Sequence, residues 1–305
     1  MVNKTAVDWL RDKLEIPSDQ LRLTKMKGAT SSSVYLIEDA NSKTSKRFVL
    51  RVMDNKKWLE EEPDNIQHEF NALQEAEKIS PLVPKPISFN TQEVGFGYPV
   101  LLMSFVPGHI DLKPINIQQW ITELSGQLAL IHHHTSDTLN TFPWHYKSWA
   151  QKTNLAPPSF SRIPELWKIA IDYVGNGEPQ YNAVFIHRDY HPTNVLWQHQ
   201  KISGIVDWIN ACQGPAGVDV AHCRTNLALM YGGDVMQAFL NAYCQAAPNF
   251  VYEPYWDLDS LFDMCFPEPP FYEPWQEFGL EKIPPEILQQ RLDNYLEQIV
   301  LKLKD

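Results

Sequence analysis

Residues 185–197 read Phe185-Ile-His-Arg-Asp-Tyr-His-Pro-Thr-Asn-Val-Leu-Trp197, and Ile205-Val-Asp207 follows shortly after. His187, Asp189 and Asn194 form the pattern H-x-D-x-x-x-x-N. Asp207 stands 13 residues beyond Asn194, behind two apolar β-branched residues. Ala183-Val-Phe-Ile186, Asn194-Val-Leu-Trp197 and Gly204-Ile-Val-Asp-Trp208 have the β-branched and aromatic content of short strands. A polar loop between strands can use Asp and Asn merely to satisfy turns. Here the strands bracket the loop and the second Asp falls at a hairpin-compatible distance, so several independent parts agree on a chemical site.

Upstream, Ser33-Val-Tyr-Leu-Ile-Glu38 and Arg47-Phe-Val-Leu-Arg-Val-Met53 predict an antiparallel hairpin across a polar turn. A helix follows over residues 68–79, with Phe70 and Leu73 one turn apart, ended by Pro81, Pro84 and Pro86. Tyr98-Pro-Val-Leu-Leu-Met103 predicts another strand before the Pro107-Gly108 turn. Beyond Gly108 the pattern becomes helical. Trp120, Ile121, Leu124, Leu128 and Ile131 carry helical spacing, and a second helix lies near residues 164–174. The rear of the chain reads as helix, with a Pro- and aromatic-rich excursion over residues 254–274.

With this order in place, the chain resembles the aminoglycoside phosphotransferase family, a small-molecule branch of the protein-kinase-like fold. The resemblance covers residues 21–244. It rests on Leu50-Arg51, Glu69, Leu101-Leu-Met-Ser-Phe-Val-Pro-Gly108, Leu128-Ala-Leu-Ile-His132, the 187–194 loop, Val206-Asp-Trp208 and Gly214-Pro-Ala-Gly-Val-Asp-Val-Ala221. It implies an α+β, two-lobed protein-kinase-like fold with a small antiparallel-sheet N-lobe and a larger, mostly helical C-lobe. Residues 1–103 would be the nucleotide-binding lobe and 104–108 the hinge. Residues 109–305 would carry the catalytic loop, metal site and acceptor cleft.

The same resemblance assigns roles. Asp189 would orient the acceptor hydroxyl and take its proton, with His187 supporting the loop by hydrogen bonding. Asn194 and Asp207 would supply the amide and carboxylate oxygens that Mg²⁺ prefers. Met103, Ser104 and Phe105 would meet the adenine edge of ATP, with GTP as the alternative base. Gly28, Ser31, Ser32 and Ser33 stand where a phosphate-covering loop belongs. Arg51 occupies the place where the fold normally carries lysine, with Glu69 as its ion-pair partner. Arginine's planar fork is not equivalent to lysine's point charge.

The sequence has 305 residues, 44% hydrophobic and 21% charged, which excludes disordered and collagen-like classes. Its formal net charge of −11 disfavours nucleic acid as a partner. Cys212, Cys223, Cys244 and Cys265 include no C-x-x-C pair and read as reduced thiols of a cytoplasmic protein. Val7, Leu10 and Leu14 make the opening segment an amphipathic helix rather than a signal peptide, and no apolar run is long enough for a membrane span.

Seven residues separate Asp207 from Pro215, leaving no room for a phosphorylatable activation loop, so a small-molecule acceptor is expected rather than a protein. From Thr225 to Glu281 there is no Lys or Arg but nine acids, interleaved with aromatic residues. An acidic, aromatic surface would attract a cationic acceptor such as an amino sugar or amino alcohol. The competing reading is a solvated acidic face over an aromatic core. His132, His133 and His134 end a helix and could cap it; consecutive residues point to different faces, which disfavours a shared metal. A catalytically silent nucleotide-binding protein is the alternative function, suggested by Arg51 and the glycine-poor loop.

Overall fold

The computed structural model describes residues 4–26, 31–41, 46–92, 95–134 and 139–303. They divide into two compact units, Met1–Gly108 with Ser203–Asn210, and His109–Ile202 with Ala211–Asp305.

The first unit contains α1 (Lys4–Leu14), β1 (Leu21–Lys25), β2 (Ser33–Asp39), β3 (Arg47–Val52), α2 (Lys56–Glu61), α3 (Asn65–Ile79), β4 (Pro86–Asn90) and β5 (Val100–Ser104). The strands form one antiparallel sheet in the order β1-β2-β3-β5-β4. Leu10 and Leu14 of α1 pack with Ile37, Leu50, Val52, Val100 and Leu102 in one buried cluster. Side chains alternate along a strand, so Arg51, between Leu50 and Val52, points to the opposite face. There α3 packs against β4 and β5 and brings Glu69 to the arginine. The helix begins at Asn65 rather than His68, because buried Ile66 adds a turn ahead of the expected apolar face. Pro63 lies just before this start. Residues 203–210 are tied in by Ile205 N–H to the Leu82 carbonyl (2.7 Å) and by the Ser203 hydroxyl to the Pro107 carbonyl (2.8 Å).

In the second unit, α4 (Ile117–His132), α5 (Pro164–Gly175), β6 (Ala183–Ile186) and β7 (Val195–Gln198) lead into β8 (Lys201–Ile205), where the chain returns to the first unit. Then come β9 (Cys212–Pro215), α6 (Ala216–Tyr231), α7 (Gly233–Ala246), α8 (Pro254–Cys265), α9 (Pro274–Glu277) and α10 (Pro285–Lys302). β6 and β9 pair antiparallel, and α6 packs against α7, α8 and α10. Only glycine fits at 217: a Cβ there would lie 2.3 Å from Cδ1 of Trp256, so α6 and α8 touch backbone to ring.

The 254–274 excursion is in fact mostly helix. Pro254 takes the first helical position, where proline's missing N–H costs nothing, and the Glu253 side chain accepts from Tyr255 N–H as the cap. The acidic aromatic stretch divides between the two readings: Asp234, Glu268, Glu273, Glu277 and Glu281 are exposed, while part of it is core. Tyr255, Trp256, Phe262 and Trp275 are buried, and so are Asp257 and Asp259. Arg224, one residue before the cation-free stretch, pairs with Asp257, which also accepts from Tyr295 and Tyr252. Asp259 is held by Tyr146 and Lys152, each at 2.5 Å, and by Ser148 at 2.7 Å. These acids have partners brought from elsewhere in the chain, which the local charge pattern does not contain. No helix among the described residues is long and apolar enough to cross a membrane.

Candidate active site

In the first unit the expected site residues converge on Arg51. Its Nε faces Glu69 Oε2 at 3.0 Å, its Nη1 reaches the Ser32 hydroxyl at 3.3 Å, and its Nη2 donates to Asp207 Oδ1 at 2.8 Å. The Glu69 side chain is 1% exposed and the Asp207 side chain 31%. Burial pushes the Glu69 carboxyl up to about 7, against the pull of Arg51. Asp207 follows β8 with φ +68°, a left-handed conformation that Asp tolerates better than most residues. Trp208, buried beside it, donates from Nε1 to the Ile205 carbonyl at 2.9 Å and fixes this turn.

Ser33 is committed elsewhere. Its N–H and hydroxyl go to the two carboxylate oxygens of Asp54, at 3.0 and 2.5 Å. Gly28 lies outside the described residues. At the end of β5, Met103 is buried, and the N–H groups of Ser104 and Phe105 go to the carbonyls of Lys85 (2.9 Å) and Arg47 (3.3 Å). The Phe105 ring lies under the Arg47 guanidinium, 4.2 Å from its centroid.

In the second unit the 187–194 loop is clamped from below by Asp219, in the first turn of α6. The N–H groups of His187 and Arg188 donate to its two oxygens at 2.7 and 2.6 Å. His132 Nε2 donates to it at 3.0 Å, while the Tyr243 hydroxyl bonds His132 Nδ1 at 2.6 Å. His132 is thus a buried brace within the fold. Burial alone would raise the Asp219 carboxyl, but His132 and His187 hold it below the ordinary carboxylate range. The clamp lets Arg188 hold φ +68°, a strained value for this side chain. Arg188 in turn stacks 3.7 Å from the Trp149 ring centroid and donates to the Lys147 carbonyl at 2.6 Å.

At the tip of the loop, Asn194 Nδ2 donates to both the carbonyl and Oδ2 of Asp189, at 2.9 and 3.0 Å. The amide nitrogen is the bound end, so Asn194 presents its oxygen. His187 Nδ1 accepts the Asp189 N–H at 3.3 Å. The Asp189 side chain is 28% exposed, and its Oδ1 faces Nε2 of His222 at 3.1 Å and of His191 at 3.5 Å. Burial would raise this carboxyl, yet His191, His222 and His187 hold it well below the usual range.

The model of the phosphotransferase enzyme family matches residues 22–255. The chain belongs to this family. Among solved structures, this phosphotransferase is similar to an aminoglycoside phosphotransferase candidate from Ralstonia eutropha JMP134, at 15% identity and TM-score 0.61, covering 99% of this chain and 98% of that one. A spectinomycin phosphotransferase solved with ADP and spectinomycin gives 12%, 0.60, 95% and 97% in the same order. Choline kinase from Cryptosporidium parvum Iowa II gives 14%, 0.56, 98% and 95%. No curated protein matches. At these identities the structures speak for the fold, and this phosphotransferase has the α+β kinase-like fold that they share.

Four residues of this phosphotransferase's site carried no assigned role from the sequence. His191 was within the quoted loop, two positions after Asp189. Asp219 and His222 lie three apart on α6, a spacing that puts both on one helix face. Only Asp54 had no signal, since its link to Ser33 spans the sheet.

Proposed function

We propose that this phosphotransferase is a small-molecule kinase that moves the γ-phosphate of ATP to a hydroxyl group of its acceptor. The observation that carries this reading is the Asp189–Asn194 clasp, which holds a carboxylate and an amide side by side on a loop pinned by Asp219. Asp189, kept ionised by its histidines, orients the acceptor hydroxyl and receives its proton. His187 holds the loop from beneath. Asn194 and Asp207 each supply a hard oxygen, a donor chemistry that fits Mg²⁺ and not a soft metal. Bound Mg²⁺ would neutralise charge on the nucleotide phosphates.

Arg51, steadied by Glu69, faces the phosphates. Because Ser33 is bound to Asp54, Ser31 and Ser32 are the hydroxyls offered to phosphate, while Ser33 shapes the turn. Residues 103–105 line the adenine. With the Ser104 and Phe105 N–H groups used in the sheet, the base meets this strand end at its carbonyls or at the N–H of Val106. ADP in the spectinomycin enzyme supports ATP over GTP. Support for a cationic acceptor is narrower than the count of acids implied, and comes from Asp263, which is half-buried and interacts electrostatically with Arg188 and His222. Reduced thiols, with no disulfide among the four cysteines, support a cytoplasmic setting.

A thermal-shift titration with Mg²⁺-ATP and Mg²⁺-GTP, followed by amino sugars, macrolides and amino alcohols, tests this reading. A saturable Mg²⁺-dependent shift with ATP, then turnover with an acceptor, is expected. The alternative, a silent nucleotide-binding protein, draws on Arg51 being held within the protein, Nη1 and Nη2 by Ser32 and Asp207 and the charge by Glu69. Nucleotide binding with neither transfer nor slow hydrolysis would favour it.

A further inference from the structure

We propose that Asp189, His191 and His222 form a binding site for a divalent transition-metal ion of the zinc class, whose occupancy switches the enzyme off by taking the Asp189 carboxylate. The inhibitory half rests on the kinase reading above; the binding half does not.

One ligand atom from each of the three residues lies within 4.8 Å of the others. Two edges of this triangle, His222 Nε2 to Asp189 Oδ1 at 3.1 Å and His191 Nε2 to Asp189 Oδ1 at 3.5 Å, are already near their liganded lengths. Zinc bonds of about 2.0–2.1 Å in a tetrahedron put ligand atoms roughly 3.3 Å apart. The imidazole rings stand 5.5 Å apart between centroids and inclined at 64°, so they converge on the carboxylate from two directions.

The donor set separates this site from the magnesium ligands. Two imidazole nitrogens and one carboxylate oxygen suit zinc and its neighbours, whereas Mg²⁺ prefers oxygen alone. The second layer is also in place. Thr193 Oγ1 lies 3.0 Å from His191 Nδ1, the ring nitrogen that must carry the proton when Nε2 binds metal. Both Nε2 atoms face the Asp189 carboxylate. Where an Nε2 carries the ring proton, metal binding moves it to Nδ1 or releases it, and the two contacts to the carboxylate give way to three coordinate bonds.

The framework is rigid. His222 projects from α6, which is otherwise almost wholly buried, and the His191 carbonyl accepts the Asn194 N–H at 3.0 Å. Asp189 and His222 are partly exposed, the side on which water would complete a three-ligand zinc site. Asp263 interacts electrostatically with Arg188 and His222, although burial raises its carboxyl.

The test uses the full chain, stripped with chelator and titrated with Co²⁺. Visible absorption of four-coordinate Co²⁺ should rise to one equivalent and be bleached by one equivalent of Zn²⁺. His222→Gln and His191→Gln, each checked by circular dichroism, should weaken Co²⁺ affinity by at least about tenfold. Zn²⁺ should inhibit Mg²⁺-dependent turnover reversibly by chelator, and His222→Gln should raise the Zn²⁺ concentration needed by a similar factor. Absence of stoichiometric Co²⁺ binding, or binding unchanged in both folded variants, overturns the site. Stoichiometric binding with turnover indifferent to Zn²⁺ overturns the inhibition. A chain with no turnover at all fails as a kinase and loses the inhibitory half, while the cobalt spectrum still decides the site.

Discussion

Arg51 and Asp207, 156 positions apart in sequence, are joined directly, Nη2 to Oδ1 at 2.8 Å. The same guanidinium compensates Glu69, which is far more deeply buried. The two carboxylates should therefore respond differently to mutation. Arg51→Ala leaves Glu69 buried without a counter-charge and should cost about 3 kcal/mol. Asp207→Asn, at a site partly open to water, should cost about 1 kcal/mol or less. Urea denaturation of both variants checks this, and the reverse order would contradict the assigned burial.

Asp189→Ala should lower turnover by about 10²–10⁴-fold, the usual size of a proton-transfer contribution. Nucleotide-induced thermal stabilisation should persist, because the carboxylate is assigned to the acceptor. Equal loss of binding and turnover would remove Asp189 from that role.

Acid stability should report on Asp219. Its carboxyl sits below its unfolded value in the folded state, so its contribution is complete above the unfolded pKa of about 3.9. That contribution is lost as pH falls through the lower folded value. Asp219→Asn, which leaves two loop N–H groups and His132 with a weaker acceptor, should cost about 3 kcal/mol at neutral pH. The variant should also show a flatter stability profile below about pH 4. A wild-type slope retained in the variant would assign acid sensitivity to other carboxylates.

Ser33→Ala should cost about 1 kcal/mol by removing one of the two hydrogen bonds to Asp54, with nucleotide affinity close to wild type. Isothermal titration beside a melt separates the two effects. A large affinity loss would return Ser33 to the phosphate-contacting set.

Gly217→Ala should destabilise by about 1–3 kcal/mol, since the added methyl meets the Trp256 ring rather than a flexible side-chain tip. Differential scanning calorimetry reads it, and an unchanged midpoint would mean that α8 shifts at no cost.

The chemical loop and the sheet hairpin were legible because their signals are local: residue types at fixed spacing, and apolar strands with polar turns. The same reading passed over β1, β4 and β9. β4 starts at Pro86, which reads as a helix terminator; at a sheet edge proline's missing N–H is tolerated, and β4 is an edge strand. β9, Cys-Gln-Gly-Pro, carries turn residues and becomes a strand only through pairing with β6. The acids of residues 253–259 looked like a surface because their counter-ions, Arg224 and Lys152, lie outside that stretch of chain. Charge compensation across the fold leaves no mark in a local window.

Every interior position of α6 is buried except His222. Most of this helix therefore cannot change without disturbing the core, whereas residue 222 answers mainly to Asp189 and His191. A sensitivity to metal that hinges on that one side chain could be gained or shed in a single codon change, leaving the scaffold as it was. The trait would be the part of the site that a single exchange installs or erases.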